Sequence, residues 1–363
     1  MILRTVADTS NSCIPALVMD TLSGGSGSPE LMPEGIFEGC TPTKGSVEIL
    51  SAAVNSWVAI DLIGAHNFFV VAVSIDEHDM WVYAVDGVYV VPQKVQALNL
   101  FNGDRVSVMV QTKATAGAFK IRTHVASPPQ ILIGHAILKV GGASTGNINS
   151  KAHIDIVGAP INANIAFLDY TAAVPFTEET IPLEADDFFR LDMRLDGVSY
   201  LWALNNTRLM PHDIDSVPLP ALFNPQPFIQ NDVTISTLNN TWVDLVFQAN
   251  GLMPPHPIHK HGNKMYHIGA GEGLFEWDSV NEAIAAAPQH FNLDNPPKVD
   301  AVMTPPAETG PSWAAVRYHV TDPGAWLIHC HIHNHAEGGM VVLIQDGVDK
   351  WPTIPQKYWD ALA

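Results

Sequence analysis

Short apolar runs, many of them alternating with polar residues, dominate the chain from Gly45 to about Val140. Examples are WVAIDLI, MWVYAVDGVYVV and FKIRTHV, all rich in β-branched and aromatic residues. Turn-forming pairs such as Asp86-Gly87 and Asn102-Gly103 separate the runs. An apolar period of two, repeated at this spacing, is typical of strands in an antiparallel sandwich or barrel. The pattern therefore predicts an all-β domain without a long helix.

A tract of small residues, GGASTGNINS at 141–150, interrupts this pattern and is typical of a linker between domains. Strand-like runs resume beyond it, among them TWVDLVFQA, AAVRYHV, AWLIHCHI and GMVVLIQD. We therefore expect two consecutive all-β domains, residues 1–145 and 146–363, and 363 residues suffice for two apolar cores. Only the segment 279–287, SVNEAIAAA, favours a short helix, with Asp278 as its N-cap.

Charge and composition narrow the choice of partners. Eighteen basic and 37 acidic residues give a formal net charge of −19, which repels nucleic acid and anionic lipid alike. No window approaches the roughly 18 to 20 continuous apolar residues of a membrane helix. We expect neither nucleic acid nor a membrane as partner. The first residues do not resemble an export signal, so any such signal lies outside this chain.

The chain contains three cysteines, Cys13, Cys40 and Cys330, which are too few and too widely spaced for a disulfide framework. Cys330 lies within a histidine cluster. Cys13 and Cys40 remain either as a disulfide, if the compartment is oxidising, or as two buried thiols. The Asn-x-Thr sequons at Asn205 and Asn239 suit a secreted glycoprotein.

Two histidine clusters carry the candidate chemistry: HPIHKHG at 256–262 and HCHIHNHAEGGM at 329–340. On a strand, side chains two positions apart share a face and the intervening side chain points the other way. His259 and His261 should therefore point together. His329 and His331 should share a face from which Cys330 points away. The alternation predicts that one strand serves two metal sites, back to back.

On its own side of the strand, Cys330 needs further ligands, and His256 and His335 are available from the flanking turn and loop. Met340 lies five residues beyond His335. Two imidazoles, a thiolate and a weak thioether are the ligand set of a blue copper electron-transfer site. Zinc also accepts Cys and His ligands, but it usually closes with four short bonds and gains nothing from a distant Met.

The opposite face offers four imidazoles without a carboxylate or thiolate: His259, His261, His329 and His331. Imidazole suits copper, although zinc and iron also accept it. The direct connection of these histidines to the strand that carries the thiolate favours a pair of redox-active sites.

Both clusters resemble the third and fourth copper-binding motifs of the multicopper oxidases, the family of laccases, ferroxidases and ascorbate oxidases. The segments AVDGVYVVPQKV, HKHGNKMYHIGAGEGLFEW, DPGAWLIHC and QDGVDKWP look like those of fungal members, and the resemblance extends from about Gly45 onward. It implies two consecutive cupredoxin-like Greek-key β-sandwich or barrel domains, the first (1–145) without copper ligands and the second (146–363) with them. It also implies type 1 copper ligands at His256, Cys330, His335 and Met340, a type 2 ligand at His259, and type 3 ligands at His261, His329 and His331.

The resemblance further implies an extracellular oxidoreductase that uses copper, a reducing donor and dioxygen. In this family the type 1 copper takes single electrons from a phenolic, aromatic or metal-ion donor, and a trinuclear copper cluster reduces dioxygen to water. Cys330 is bonded in sequence to His329 and His331, so these three residues are the expected catalytic residues. They would form the electron path between the two sites.

One departure from the family affects activity. Its members complete the cluster with eight histidines, four of them from two His-x-His motifs in an N-terminal domain that has no counterpart here. We therefore expect a partial product whose Met1 is internal to a longer parent. Three hypotheses remain: a laccase-like oxidase, a copper-binding electron-transfer protein that does not reduce oxygen, or a chain completed by histidines from an N-terminal domain or a separate chain.

Copper nitrite reductases are a further alternative, because they also pair a type 1 centre with a second histidine site. Only four residues separate Cys330 from His335, and four more separate His335 from Met340. This spacing resembles the oxidases rather than the longer loop of the reductases. Asp300 follows Val299, where relatives often have arginine, and is expected to be structural.

Overall fold

The computed structural model describes residues 2–4 (backbone only), 47–67, 70–125, 133–197, 201–215, 219–224 and 231–362. Within it the chain forms two compact units, Met1–Thr177 and Glu178–Ala363. The predicted alternatives for Cys13 and Cys40 lie outside the described residues. No helix among those described is long and apolar enough to cross a membrane.

The first unit is built from ten described strands in two five-stranded sheets. They are β1 (Ile2–Arg4), β2 (Ile49–Ala52), β3 (Trp57–Ile63), β4 (Val71–Ile75), β5 (Met80–Val85), β6 (Val88–Val95), β7 (Ala97–Leu100), β8 (Arg105–Gln111), β9 (Gly117–Val125) and β10 (Ile133–Val140). The sheet orders are β1-β3-β8-β5-β6 and β2-β10-β9-β4-β7. Alternation accounts for the core, since Val106, Val108 and Val110 of β8 are buried while the residues between them are partly exposed.

The first unit continues past the predicted linker. Ile154 is buried against Ala72 and Ala97, and Phe167 packs on the same cluster. The compact units therefore divide after Thr177, later in the chain than the predicted boundary after residue 145. The reason is that isolated apolar side chains in an irregular segment carry no periodic signal, although they cover the edge strand β7.

The second unit has eleven described strands. They are β11 (Asp187–Leu195), β12 (Trp202–Ala203), β13 (Thr234–Ser236), β14 (Trp242–Ala249), β15 (Pro257–Lys260), β16 (Met265–Glu272), β17 (Lys298–Val299), β18 (Ala301–Met303), β19 (Ser312–His319), β20 (Gly324–Cys330) and β21 (Val341–Asp346). One sheet has the order β12-β11-β14-β19-β16-β17 and the other β13-β21-β20-β15-β18. Both units are thus two-sheet β structures, and the all-β prediction is confirmed.

The described helices are short. They are α1 (Pro211–Asp215), α2 (Val280–Ala286), α3 (His333–Glu337) and α4 (Gln356–Asp360), with single 3-10 turns at Tyr170–Ala172, Ala221–Phe223, Pro288–His290 and Val348–Lys350. The predicted helix is α2, but its N-cap is Ser279 rather than Asp278. The hydroxyl of Ser279 accepts the backbone N–H of Glu282 (3.1 Å), and the Glu282 carboxylate accepts the N–H of Asp278 (3.2 Å). The Ser279 hydroxyl thus acts as the N-cap acceptor, and the Glu282 carboxylate bonds the residue before the cap, so Ser279 rather than Asp278 begins the helix.

Candidate metal centre

The pairing of β15 with β20 brings the two histidine clusters together. In the antiparallel register Ile258 lies opposite Cys330, and His259 lies opposite His329. Because side chains alternate along both strands, one face of this pair carries the two histidines and the other carries the cysteine. The structure therefore places the sulfur of Cys330 and the imidazoles of His259 and His329 on opposite sides of the sheet, as the alternation predicts.

On the cysteine side, three buried donor atoms converge. Sγ of Cys330 lies 3.6 Å from Nδ1 of His256 and 3.7 Å from Nδ1 of His335, and the two nitrogens are 3.1 Å apart. The centre of this triangle is about 2 Å from each corner, near a metal–nitrogen bond and slightly short of a metal–sulfur bond of about 2.3 Å. The arrangement fits a single metal ion held by one sulfur and two nitrogens.

Met340 is brought next to this group by the chain that follows α3. The N–H of Met340 donates to the carbonyl of His335 (2.9 Å), and the N–H of Cys330 donates to the carbonyl of Met340 (3.1 Å). Met340 is completely buried. These two hydrogen bonds close the loop from Cys330 to Met340 on itself, which keeps His335 over the sulfur.

Burial sets the protonation of the three donor atoms. It lowers the pKa of His256 to about 3 and that of His335 to about 4, so both imidazoles are neutral at neutral pH and keep a lone pair for a metal. Burial also raises the pKa of the Cys330 thiol well above its usual range. A metal that binds there must displace the thiol proton, as metals do when they bind cysteine.

On the opposite face, the ligand nitrogens of His259, His261 and His329 all lie within 4.8 Å of one another. Nε2 of His261 is 3.1 Å from Nε2 of His329. The ring of His331 completes the group, with its centroid 5.5 Å from that of His259 and 5.7 Å from that of His329. All four predicted imidazoles therefore lie together, although only three bring ligand atoms into the tighter group.

Backbone carbonyls orient two of these rings. Nδ1–H of His259 donates to the carbonyl of Asp300 (2.7 Å), and Nδ1–H of His329 donates to the carbonyl of Cys330 (2.8 Å). Because a carbonyl only accepts, the proton of each neutral ring is on Nδ1 and the lone pair is on Nε2. Burial lowers the pKa of both histidines to about 4, which keeps them neutral. Carbonyl partners of this kind commonly orient metal-binding histidines.

Asp300 therefore positions His259 through its main chain, and its carboxylate accepts a hydrogen bond from Nζ of Lys264 (3.0 Å). The expectation of a structural role agrees with this geometry. Sequence reasoning did not find the link to His259, because a main-chain carbonyl leaves no signal in residue identity.

A buried ion pair between Lys260 and Asp346 stabilises the end of strand β15. The side chain of Lys260 is fully buried, and its Nζ donates to Asp346 Oδ2 (2.7 Å) and to the carbonyl of His261 (3.0 Å). Asp346 Oδ1 accepts the hydroxyls of Tyr318 (2.9 Å) and Thr237 (2.8 Å). The network anchors the His-Lys-His segment in the core. Alternation along the strand accounts for Lys260 pointing away from His259, but not for the burial of its charge.

Trp202 covers the cysteine side. Its ring centroid is 5.0 Å from that of His256 and 4.3 Å from that of His335. Its backbone N–H donates to the carbonyl of Gly338 (3.0 Å), which fixes the indole against the loop between His335 and Met340. Only 7% of Trp202 is exposed. The indole therefore shields both histidines from solvent.

The fold and this geometry define a two-unit cupredoxin-like protein with a buried Cys-His-His cluster. Comparison with known proteins agrees. Residues 24–143 and 198–350 each match the family described as multicopper oxidase. Together the two matches cover most of the chain. The chain belongs to the multicopper oxidase family, whose members are copper-dependent oxidoreductases that use reducing donors and dioxygen.

Several similar proteins come from fungi. Laccase abr2 of Aspergillus fumigatus is 37% identical over 333 residues, which cover 90% of this chain and 56% of that protein. Multicopper oxidase GIP1 of Gibberella zeae is 35% identical over 342 residues, covering 92% of this chain and 50% of that protein. The chain therefore spans about half the length of the curated relatives it matches.

A laccase from Botrytis aclada shares the fold. It superimposes with a TM-score of 0.74 at 19% identity, covering 95% of this chain and 60% of that structure. A second solved multicopper oxidase, Fet3p, gives a TM-score of 0.68 at 17% identity and covers 88% of this chain and 62% of that structure. These similarities establish the cupredoxin-like architecture predicted from the sequence.

Proposed function

We propose that this chain provides the electron-accepting centre of a laccase-like oxidase, with His256, Cys330, His335 and Met340 as the type 1 copper ligands. Bound copper supplies one-electron redox chemistry at this position. The observation that supports the proposal most strongly is the buried sulfur–nitrogen triangle, with donor atoms 3.1 to 3.7 Å apart. A thiolate with two imidazoles is the donor set of blue copper sites.

The second half of the proposal concerns the opposite face. His259 would be the type 2 ligand, and His261, His329 and His331 would be type 3 ligands of a trinuclear cluster. Cys330 is bonded to His329 and His331, and the carbonyl of Cys330 accepts Nδ1–H of His329 (2.8 Å). A covalent path thus connects the sulfur to each of the two imidazoles, and a hydrogen-bonded path adds a second route to His329. In this role the three residues are catalytic, since they conduct electrons to the site of dioxygen reduction.

This chain contributes four imidazoles to that cluster, and the family pattern requires eight. We infer that an N-terminal domain or a separate chain supplies the others and docks on the sheet face that carries His329. An apolar cavity of about 570 Å³ next to that face supports the inference, and Leu327 of β20 and Leu343 of β21 line it. By alternation, Leu327 points to the same side as His329.

The alternative is a copper-binding electron-transfer protein that exchanges electrons at the cysteine side and does not reduce dioxygen. The observation that favours it is that this chain supplies four of the eight imidazoles in the family pattern. In both cases the donor is a phenolic or aromatic compound or a metal ion. An extracellular location is part of the proposal, and the partly exposed sequon residues Asn205 and Asn239 suit it.

Copper quantification combined with oxygen uptake tests the proposal. The purified chain is loaded with copper, and its copper content and oxygen consumption with hydroquinone as donor are measured. About four coppers per chain with oxygen uptake support a completed cluster. About one copper per chain, a blue spectrum and no oxygen uptake, in the chain alone and also after addition of the N-terminal half of a full-length relative, support the electron-transfer alternative. A loaded chain without thiolate-bound copper contradicts both.

A further inference from the structure

Two tryptophans are exposed on the same face of one sheet of the first unit. Trp57 begins β3 and is 52% exposed, and Trp81 in β5 is 38% exposed. Both line one cavity of about 450 Å³. Large apolar side chains that remain exposed in a cavity commonly mark a binding surface.

The sheet register explains why the two indoles share a face. Trp57 pairs with Gln111 of β8, and Trp81 pairs with Met109 of the same strand. Gln111 and Met109 are two positions apart, so they and their partners lie on one side of the sheet. The strand β8 separates the two tryptophan strands, which places them about 10 Å apart across the sheet. The sheet therefore presents two indoles as a platform rather than as a single stacked pair.

The remainder of the cavity lining is mainly polar and carries no net charge. Its charged members are two carboxylates and two ammonium groups: Glu77, Asp79, Lys94 and Lys113. Lys94 donates to Asp79 (2.7 Å) and lies 5.8 Å from the ring centre of Trp81. Gln96 also donates to Asp79 (2.6 Å). The lining is thus held in place before a ligand arrives, and its balanced charge favours an uncharged, hydroxyl-rich ligand.

His78 also lines the cavity and carries a buried hydrogen-bond acceptor. It is only 3% exposed, and its Nδ1–H donates to the carbonyl of Asp76 (2.8 Å). The lone pair of the neutral ring is therefore on Nε2, which has no hydrogen-bond partner among the described residues. An edge contact with Phe119, at 4.5 Å between ring centres, holds the ring in place. A buried acceptor that is left unpaired is costly unless a ligand or water satisfies it.

We propose that this cavity is a binding site for a neutral oligosaccharide. A pyranose ring has an apolar face of C–H groups, which stacks on the negative face of an indole, and a rim of hydroxyls, which pairs with polar side chains. Trp57 and Trp81 would contact different rings of one oligosaccharide. Asp79, Gln111 and Nε2 of His78 would take the hydroxyls. A phenolic donor also stacks on indole, but it has too few hydroxyls to satisfy a polar lining.

Isothermal titration calorimetry on the full chain tests the site, with cellohexaose, laminarihexaose and chitohexaose as separate probes. We expect at least one probe to bind, and Trp57→Ala and Trp81→Ala each to weaken that binding at least tenfold. Trp57→Phe should retain part of the affinity, because an aromatic face remains. Trp359→Ala is the matched control, since Trp359 is a similarly exposed tryptophan (39%) in the second unit. It should leave the affinity unchanged.

Two results would overturn the proposal. One is the absence of binding by all three probes at millimolar concentration. The other is binding that survives both Trp57→Ala and Trp81→Ala. A hydroquinone titration on the same variants separates the competing ligand class. Hydroquinone binding that depends on both tryptophans, without saccharide binding, would assign the cavity to an aromatic ligand instead.

Discussion

Sγ of Cys330 lies 3.6 Å from Nδ1 of His256, although 74 positions separate the two residues in sequence. The sheet produces this proximity, because Cys330 pairs with Ile258, two residues after His256. The N–H of His256 also donates to the hydroxyl of Thr304 (2.9 Å), which fixes the start of β15. The cysteine side is therefore organised by strand pairing before any metal binds.

His259→Ala is expected to impair only the second metal site. His259 lies on the face opposite to Cys330, and the nearest ring neighbours of His259 are the other three imidazoles. Copper affinity at the second site should fall at least tenfold, while the blue absorption remains. Electron paramagnetic resonance of the copper-loaded variant separates the two signals. Loss of the blue signal in this variant would refute the assignment of the two faces to separate sites.

Asp346→Asn is expected to lower the free energy of unfolding by about 3–5 kcal/mol, because it leaves the buried Lys260 cation without its counter-charge. Urea denaturation of the metal-free chain measures the change. The matched control is Asp196→Asn, since Asp196 forms an exposed pair with Arg208 at 3.5 Å. The control should cost less than about 1 kcal/mol. Equal effects in the two variants would argue against a supporting role for the Lys260 network.

Acid is expected to destabilise the metal-free chain through its buried histidines, of which His256 and His335 lie on the cysteine side. Their folded pKa values of about 3 and about 4 lie below the unfolded value of about 6.5. The unfolded chain therefore binds these protons first, and stability falls as the pH drops from 6.5 towards 4. Between pH 7 and pH 5 the loss is about 2 kcal/mol for each histidine.

Urea midpoints at a series of pH values measure this dependence. His335→Asn removes one of the buried histidines whose pKa is lowered, so its stability should depend less steeply on pH than that of the unchanged chain. His212→Asn is a suitable control, because His212 has a side chain that is 74% exposed. If the stability of His335→Asn depends on pH as steeply as that of the unchanged chain, the claim that burial lowers the pKa of His335 is contradicted.

Trp202→Ala is expected to lower the reduction potential of bound copper. Trp202 shields His256 and His335, and its removal admits water, which favours the more highly charged oxidised ion. Trp202→Phe keeps an aromatic ring over the histidines and should shift the potential less. Redox titration of the blue band gives both values. A potential that stays constant or rises in Trp202→Ala would contradict this account.

Alternation and turn chemistry were sufficient to predict much of the fold and the grouping of the histidines. The positions of His329, Cys330 and His331 on opposite faces follow from a strand period of two, and the structure has this arrangement. The features that were missed depend on long-range packing. Trp202 comes from a distant edge strand, and the buried charge of Lys260 depends on Asp346, 86 positions away. Neither contact is marked by a pattern of neighbouring residues in the sequence.

The division of the chain was hard to predict for a similar reason. The segment 141–150 has the composition of a linker, yet Ile154 beyond it packs into the first unit. Sparse apolar contacts, rather than periodic ones, attach this segment. The role assigned to each histidine rests on the family resemblance, because neutral imidazoles on one face do not by themselves distinguish type 2 from type 3 ligands.

The visible spectrum and copper content of the loaded chain, compared with those of Cys330→Ser, test the central claim most directly. The unchanged chain should show an intense blue band from thiolate-bound copper. Cys330→Ser should lose this band and one copper while it retains copper on the imidazole face. A blue band that persists in Cys330→Ser, or its absence from the copper-loaded unchanged chain, would contradict the claim that Cys330, His256 and His335 hold a type 1 copper.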